Sequence, residues 1–227
     1  MEYYISGTVM QTLDIRLGAG EAVFTESGGM AWMTGEIEMQ TDTRGGLLKG
    51  LGRSLAGESL FMTNYRCRQG RGMVVFTPES PGKILDFDLA AGQSLICQKD
   101  AFMCAADSAT LAMHFRKRLG AGLFGGEGFI LQKVTGPGMV FLEIAGEVRE
   151  YTLEPGQLMK VDPGHIALYE PTVDYGIQRV KGIKNIFFGG EGLFLASLRG
   201  PGKIWLQSMP LSNLARKLAR YMPTAKS

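Results

Sequence analysis

Gly189-Gly190-Glu191-Gly192-Leu193-Phe194-Leu195 decides the fold, because the same pattern occurs three times in the chain. The other copies are Ala56-Gly57-Glu58-Ser59-Leu60-Phe61-Met62 and Gly125-Gly126-Glu127-Gly128-Phe129-Ile130-Leu131. Their glutamates stand 69 and 64 residues apart. A pattern that recurs at near-constant spacing marks one structural unit built repeatedly. A second landmark precedes each copy: Leu17-Gly18-Ala19-Gly20-Glu21, Leu89-Ala90-Ala91-Gly92-Gln93 and Leu153-Glu154-Pro155-Gly156-Gln157. A third follows each: Gly70-Arg71-Gly72, Gly136-Pro137-Gly138 and Gly200-Pro201-Gly202. From glutamate to the first glycine of that turn the gaps are 12, 9 and 9, so the first unit is the loosest. The spacing predicts β repeats at 1–77, 78–142 and 143–208, followed by a helix and tail at 209–227.

Within each unit the local pattern is that of strands. Leu111, Met113 and Phe115 alternate with Ala112, His114 and Arg116, as do Val173, Tyr175 and Ile177 with their neighbours, and Ile37 with Met39. A period of two places such side chains on one face of a pleated strand. Met73–Phe76, Met139–Leu142 and Lys203–Leu206 each follow a Gly-x-Gly turn and read as second strands of hairpins. Many short strands between Gly/Pro turns predict an all-β fold: three tandem β-sandwich repeats, like a short double-stranded β-helix, in a pseudo-threefold arrangement.

The exception is the C-terminus. Leu214, Leu218 and Tyr221 form one stripe at helical spacing, with Arg216, Lys217 and Arg220 off it. Ser212 or Asn213 is the expected N-cap and Pro223 the stop. So short a helix needs something to dock on, and its own β body or a neighbouring subunit is favoured over a membrane surface.

Composition narrows the function classes. The chain of 227 residues is 45% hydrophobic and 20% charged, ordinary for a globular protein with a sizeable core. A formal charge of +2 is too small to imply nucleic acid by itself. No run of about 20 apolar residues is present, and Met1–Ser6 lacks the pattern of a signal peptide, so a cytoplasmic location is expected. Cys67, Cys97 and Cys104 contain no Cys-x-x-Cys and read as buried thiols. His114 and His165 occupy non-equivalent repeat positions and do not suggest a metal site. Neither a Gly-x-Ser-x-Gly elbow nor a phosphate loop ending in Gly-Lys-Ser/Thr occurs. No catalytic residue, metal ligand or cofactor is therefore assigned, and a non-enzymatic protein is expected.

Two repeated features remain. Glu58, Glu127 with Gly128, and Glu191 with Gly192 read as structural turns, each carboxylate accepting backbone N–H groups of its own glycine-rich loop. Basic residues cluster just before those turns: Arg44, Lys49 and Arg53; Arg116, Lys117 and Arg118; Arg179, Lys181 and Lys184. Beside flanking glycines they are candidate anion-binding residues, although a solvated rim explains them as simply. Only an arrangement that adds the clusters together would bind a polyanion or an anionic membrane by avidity.

The Gly189–Leu195 stretch, Gly200-Pro201-Gly202-Lys203-Ile204-Trp205-Leu206-Gln207 and Ser212-Asn213-Leu214-Ala215 together resemble a widespread, largely uncharacterised family. That family is related to the yeast altered-inheritance-of-mitochondria protein. The resemblance covers nearly the whole chain, with unit one departing most. It implies a triplicated form of the β-sandwich fold of the tryptophan RNA-binding attenuation protein, three chains forming a ring of nine units. It also implies no established enzymatic activity, and for eukaryotic relatives a link to mitochondrial inner-membrane organisation. The RNA and tryptophan binding of the fold's namesake does not follow from the fold alone. The expected function is thus a homotrimeric scaffold engaging an anionic membrane surface or a partner protein. The alternative is a small-molecule or RNA binding module at the inter-repeat interfaces, disfavoured because few aromatic side chains accompany the basic clusters. On the structural reading of the glutamates, Glu191→Ala lowers the melting temperature or disrupts assembly; an unchanged melting temperature with a selective loss of ligand binding would overturn it.

Overall fold

The computed structural model describes residues 1–26, 29–42, 62–117, 128–179, 194–219 and 221. Among these residues nineteen strands and one short helix are formed, the all-β body expected. After β1 (Glu2–Ser6), the first third of the chain carries β2 (Thr12–Gly18), β3 (Ala22–Glu26), β4 (Met30–Met33), β5 (Ile37–Asp42), β6 (Met62–Cys67) and β7 (Arg71–Phe76). The second carries β8 (Gly82–Leu89), β9 (Ser94–Gln98), β10 (Phe102–Ala106), β11 (Thr110–Lys117), β12 (Phe129–Thr135) and β13 (Gly138–Ala145). The third carries β14 (Val148–Leu153), β15 (Leu158–Val161), β16 (Ile166–Tyr169), β17 (Asp174–Arg179), β18 (Phe194–Arg199) and β19 (Gly202–Gln207). Helix α1 (Leu211–Ala219) closes the described chain.

The strands form four sheets, ordered β1-β2-β7-β4, β5-β6-β3-β10-β13-β8, β11-β12-β9-β16-β19-β14 and β15-β18-β17. The chain divides into two compact units. The first comprises Met1–Gln93, Phe102–Thr110 and Thr135–Glu143 and holds the first two sheets. The second comprises Ser94–Ala101, Leu111–Val134 and Ile144–Ser227 and holds the other two. These units cut across the sequence repeats, because two ladders join consecutive thirds of the chain: β3 pairs with β10, and β9 with β16. Within each third the register recurs. β4 meets β7, β10 meets β13 and β16 meets β19 with a bulge at the same place, between Met30 and Trp32, Phe102 and Cys104, and Ile166 and Leu168.

Each unit has its own core. In the first, Leu13, Ile15 and Leu17 alternate along β2 with every one buried, and pack with Val23, Tyr65, Phe76 and Phe141. The Tyr65 and Phe76 rings meet edge to face at 5.6 Å. In the second, Phe129, Leu131, Leu198 and Ile204 surround Tyr169, whose ring stacks on Tyr175 at 5.9 Å. Each fully buried side chain of this kind stabilises by about 1.5–3 kcal/mol.

Three local expectations are corrected. The strands flanking the Gly-x-Gly turns are not hairpins: β6 and β7, β12 and β13, and β18 and β19 lie in different sheets. Each of these turns is a corner between sheets, because β7, β13 and β19 already have ladder partners on both sides. Met39 and Met113 share the alternation but are exposed, so only Ile37 and Leu111 of those pairs are core residues. Helix α1 starts one residue after Pro210, whose carbonyl accepts from Asn213 N–H at 2.9 Å and Leu214 N–H at 3.2 Å, so neither Ser212 nor Asn213 is the cap. Its first turn docks beside the Pro163–His165 turn of the second unit, while Leu218 and Tyr221 are exposed.

The glycines of the corners have separate duties. Gly138 and Gly202 have φ of +127° and +142°, which suits glycine. Gly136 and Gly200 are instead demanded by close approach. A Cβ on Gly200 would lie against the carbonyl oxygen of Glu154 and 2.6 Å from that of Leu153. One on Gly136 would meet Leu89 O, and Ala90 O at 2.6 Å. Those carbonyls are backbone and cannot swing aside, so Gly136→Ala and Gly200→Ala are each expected to destabilise by about 1–3 kcal/mol or more in urea denaturation. Loss below about 0.5 kcal/mol would show that the corners relax freely.

Candidate functional site

The second sequence landmark turns out to be one device used three times. Glu21 Oε2 accepts the Gly18 N–H at 2.7 Å, Gln93 Oε1 the Ala90 N–H at 2.8 Å, and Gln157 Oε1 the Glu154 N–H at 2.9 Å. The backbone returns the bond in each case, from the N–H of Glu21, Gln93 and Gln157 to the carbonyls of Gly18, Ala90 and Glu154. Gly20, Gly92 and Gly156 sit between at φ of +85°, +83° and +80°. An acceptor oxygen on a two-methylene stem is what closes this loop, so Glu and Gln are interchangeable there. The sequence showed the glycines and missed the reason for the residue after them.

Of the proposed structural turns, Glu58, Glu127, Glu191 and Gly192 lie outside the described residues; Gly128 is described, at φ +84°. Among the basic residues, Arg44, Lys49, Arg53, Arg118, Lys181 and Lys184 also lie outside them. Arg116 and Lys117 end β11, and the backbone of Arg179 ends β17 opposite Phe194. Lys117 Nζ donates to the carbonyl of Ile177 at 3.4 Å, which links the end of β11 to the end of β17. Lys117 of the second cluster therefore lies near the end of β17, where the backbone of Arg179 stands, within the second unit. Phe115 packs its ring on Tyr175 at 5.2 Å and is tied into the core, leaving no stacking platform beside Lys117 on that strand.

A cleft of about 370 Å³ opens on the first unit, with Glu2, Arg16, Glu21, Glu36 and Arg71 in its wall. Guanidinium groups and carboxylates are interspersed, so the cleft offers no single sign of charge to a polyanion. The amine of Met1 donates to Glu21 Oε1 at 2.5 Å. That amine first, and the Gly18 N–H second, hold the Glu21 carboxyl below its ordinary value.

Among the described residues the three cysteines and His165 are committed to the fold. Cys67, Cys97 and Cys104 are buried free thiols, and burial, then the Glu143 charge, pushes the Cys104 thiol well up, away from the reactive thiolate. His165 Nδ1 lies 2.7 Å from the carbonyl of Gln207. The buried Gln207 amide donates to Gly164 O at 2.9 Å and Gln98 Oε1 at 3.2 Å, and accepts from Ala145 N–H at 3.1 Å. His114 is exposed, its pKa lowered by partial desolvation and then by Lys133. Among the described residues no group of His, Cys, Asp and Glu is placed to hold a metal ion, and no helix is long and apolar enough to cross a membrane.

The family model described as mitochondrial biogenesis AIM24 matches residues 3–209. The chain belongs to that family. An uncharacterized protein of Streptococcus pyogenes serotype M6 is 31% identical to this AIM24-family chain over 223 residues, covering 95% of it and 88% of the relative. The X-ray crystal structure of a Streptococcus pyogenes protein superposes with a TM-score of 0.79 at 28% identity, covering 97% of this chain and 99% of that one. The matched region spans the strand body of both compact units.

Glu21 sets the acid response of the AIM24 fold's first turn. Its folded pKa is depressed, so the stability it contributes is complete above the unfolded value of 4.5 and is lost as pH falls through the lower folded value. Glu21→Gln keeps an acceptor for Gly18 N–H but removes the charge. Urea denaturation from neutral pH down to about pH 3 should therefore show a shallower acid decline for the variant; identical declines would sink this role.

Proposed function

We propose that this chain is a non-enzymatic, cytoplasmic assembly protein, a homotrimeric ring of pseudo-threefold chains presenting a basic rim and α1 to an anionic membrane surface or a protein partner. One observation carries the reading: among the described residues β4 ends its sheet, with Trp32 and Met33 exposed, at 51% and 37%, where a lone protein would be expected to place charge. An apolar strand left open at a sheet edge is a template for pairing with another chain. The recurrence of the same turns and ladder registers in each third of the chain supports the pseudo-threefold arrangement. The meeting of Lys117 with the end of β17 supports a basic end on the second unit, and Leu218 of α1 and Tyr221 just beyond it are exposed apolar side chains near Lys217 in sequence.

Rings would multiply a weak basic patch by the number of copies, which is how a modest charge becomes a useful membrane or protein contact. Native mass spectrometry is expected to give three chains per particle. Co-sedimentation with anionic vesicles is expected to fall with salt, to resist competing single-stranded RNA, and to drop in Arg116→Glu/Lys117→Glu. No binding at low salt removes the membrane surface, and displacement by RNA moves a nucleic-acid binding module to the front.

A further inference from the structure

β3 and β9 are each flanked on both sides, on the inner side by β6 and β12 and on the outer side by β10 and β16. β15 holds the same place after the third Gly-Gln turn, and its inner side pairs with β18 as β3 pairs with β6: Leu158 faces Arg199 as Ala22 faces Arg66. Among the described residues no strand lies on its outer side. β4 is the mirror case. It pairs with β7 through the same bulge as β10 with β13 and β16 with β19, yet its outer side has no strand among the described residues, whereas β10 and β16 carry β3 and β9 there.

Exposure follows this difference. Cys104, Ala105, Leu168 and Tyr169 are buried on β10 and β16, but their equivalents on β4, Trp32 and Met33, are exposed. Phe24 and Ile96 are buried on β3 and β9, but their equivalent on β15, Lys160, is exposed; Leu158 is 43% exposed where Ala22 is buried, while Val161, the equivalent of Cys97, is buried like it. Among the described residues two half-joints of complementary type therefore remain open, where the full joint is made twice.

We infer that the outer edge of β4 on one copy pairs antiparallel with the outer edge of β15 on a second copy of this chain. The inference rests on the oligomeric reading above and adds the surface and register. Ala105 faces Phe24 in one internal joint and Tyr169 faces Ile96 in the other, with Leu168 beside it facing Cys97. Carried to the open edges by the shared bulge and turn, Met33 faces Lys160 and Trp32 faces Val161. Lys160 is the one departure from an apolar pair; its stem covers Met33 while its ammonium reaches water at the rim, as lysine does beside apolar surface. Each copy supplies one edge of each kind, so the joint is head-to-tail, the kind that builds a ring when its rotation closes.

The register is testable with single cysteines on separate chains. Directly opposed residues of an antiparallel pair have Cα atoms about 4.5–5.5 Å apart, within disulfide range. Met33→Cys protein mixed with Lys160→Cys protein should give a disulfide-linked pair on mild oxidation, while the three native thiols are buried and do not interfere. Met33→Cys mixed with Met159→Cys should give none, because adjacent side chains point to opposite faces of a strand. Trp32→Arg should dissociate the particle while circular dichroism retains the β signal. An oligomer that crosslinks in neither pair, or equally in both, overturns this joint and leaves the oligomeric reading standing. A monomeric wild-type protein overturns both.

Discussion

Backbone N–H and C=O groups along β3 and β9 need partners on two sides, and the strands that satisfy their outer sides come from the next third of the chain. That requirement shapes much of the molecule. It explains why the compact units do not follow the sequence repeats: a sheet is a cooperative unit of hydrogen bonding, and here two sheets each draw strands from consecutive thirds. It also explains why β7, β13 and β19 leave the sheet of the strand before them. With both sides already occupied they cannot fold back as hairpins, and the Gly-x-Gly turns become corners instead.

The corners and the Glu/Gln-closed turns are the local hardware that makes such joints repeatable. At the turns, a glycine with positive φ and a side-chain oxygen satisfy backbone groups that a sharp reversal would leave open. At the second and third corners, Gly136 and Gly200 let one strand pass against the carbonyls of another. Both devices act within a few residues or at one tight contact, which keeps the bulge and register the same in every third of the chain. Here His165, Gln207 and the three cysteines are spent on hydrogen bonding or packing.

Much of the fold was legible because it depends on local chemistry. The turn landmarks identified Gly20, Gly92 and Gly156 without any knowledge of partners, since positive φ is a property of one residue. Alternation located β11 and β17, because pleating is also local. What failed was partner choice. Met73–Phe76 has the composition of a hairpin strand, but whether it pairs with β6 or with β2 and β4 depends on chain tens of residues away. Met39 and Met113 keep the apolar phase of their strands, yet the covering layer does not reach them. The approach of Lys117 to Ile177 spans 60 residues and left no mark in either local pattern.

The amino-acid sequence by itself determined the strand character, the positions of the turn glycines and membership of the AIM24 family, since each is written in short stretches whose backbone and side-chain needs are met nearby. Only the tertiary structure decided which strands share a sheet, where the two cores lie, and that among the described residues Met30-Ala31-Trp32-Met33 has no outer ladder partner when its equivalents Phe102–Ala105 and Ile166–Tyr169 are buried. Those strands have similar apolar character, and only the presence or absence of a neighbour across a ladder separates core from edge. Hydrogen bonding between strands is non-local, so no window of sequence contains it.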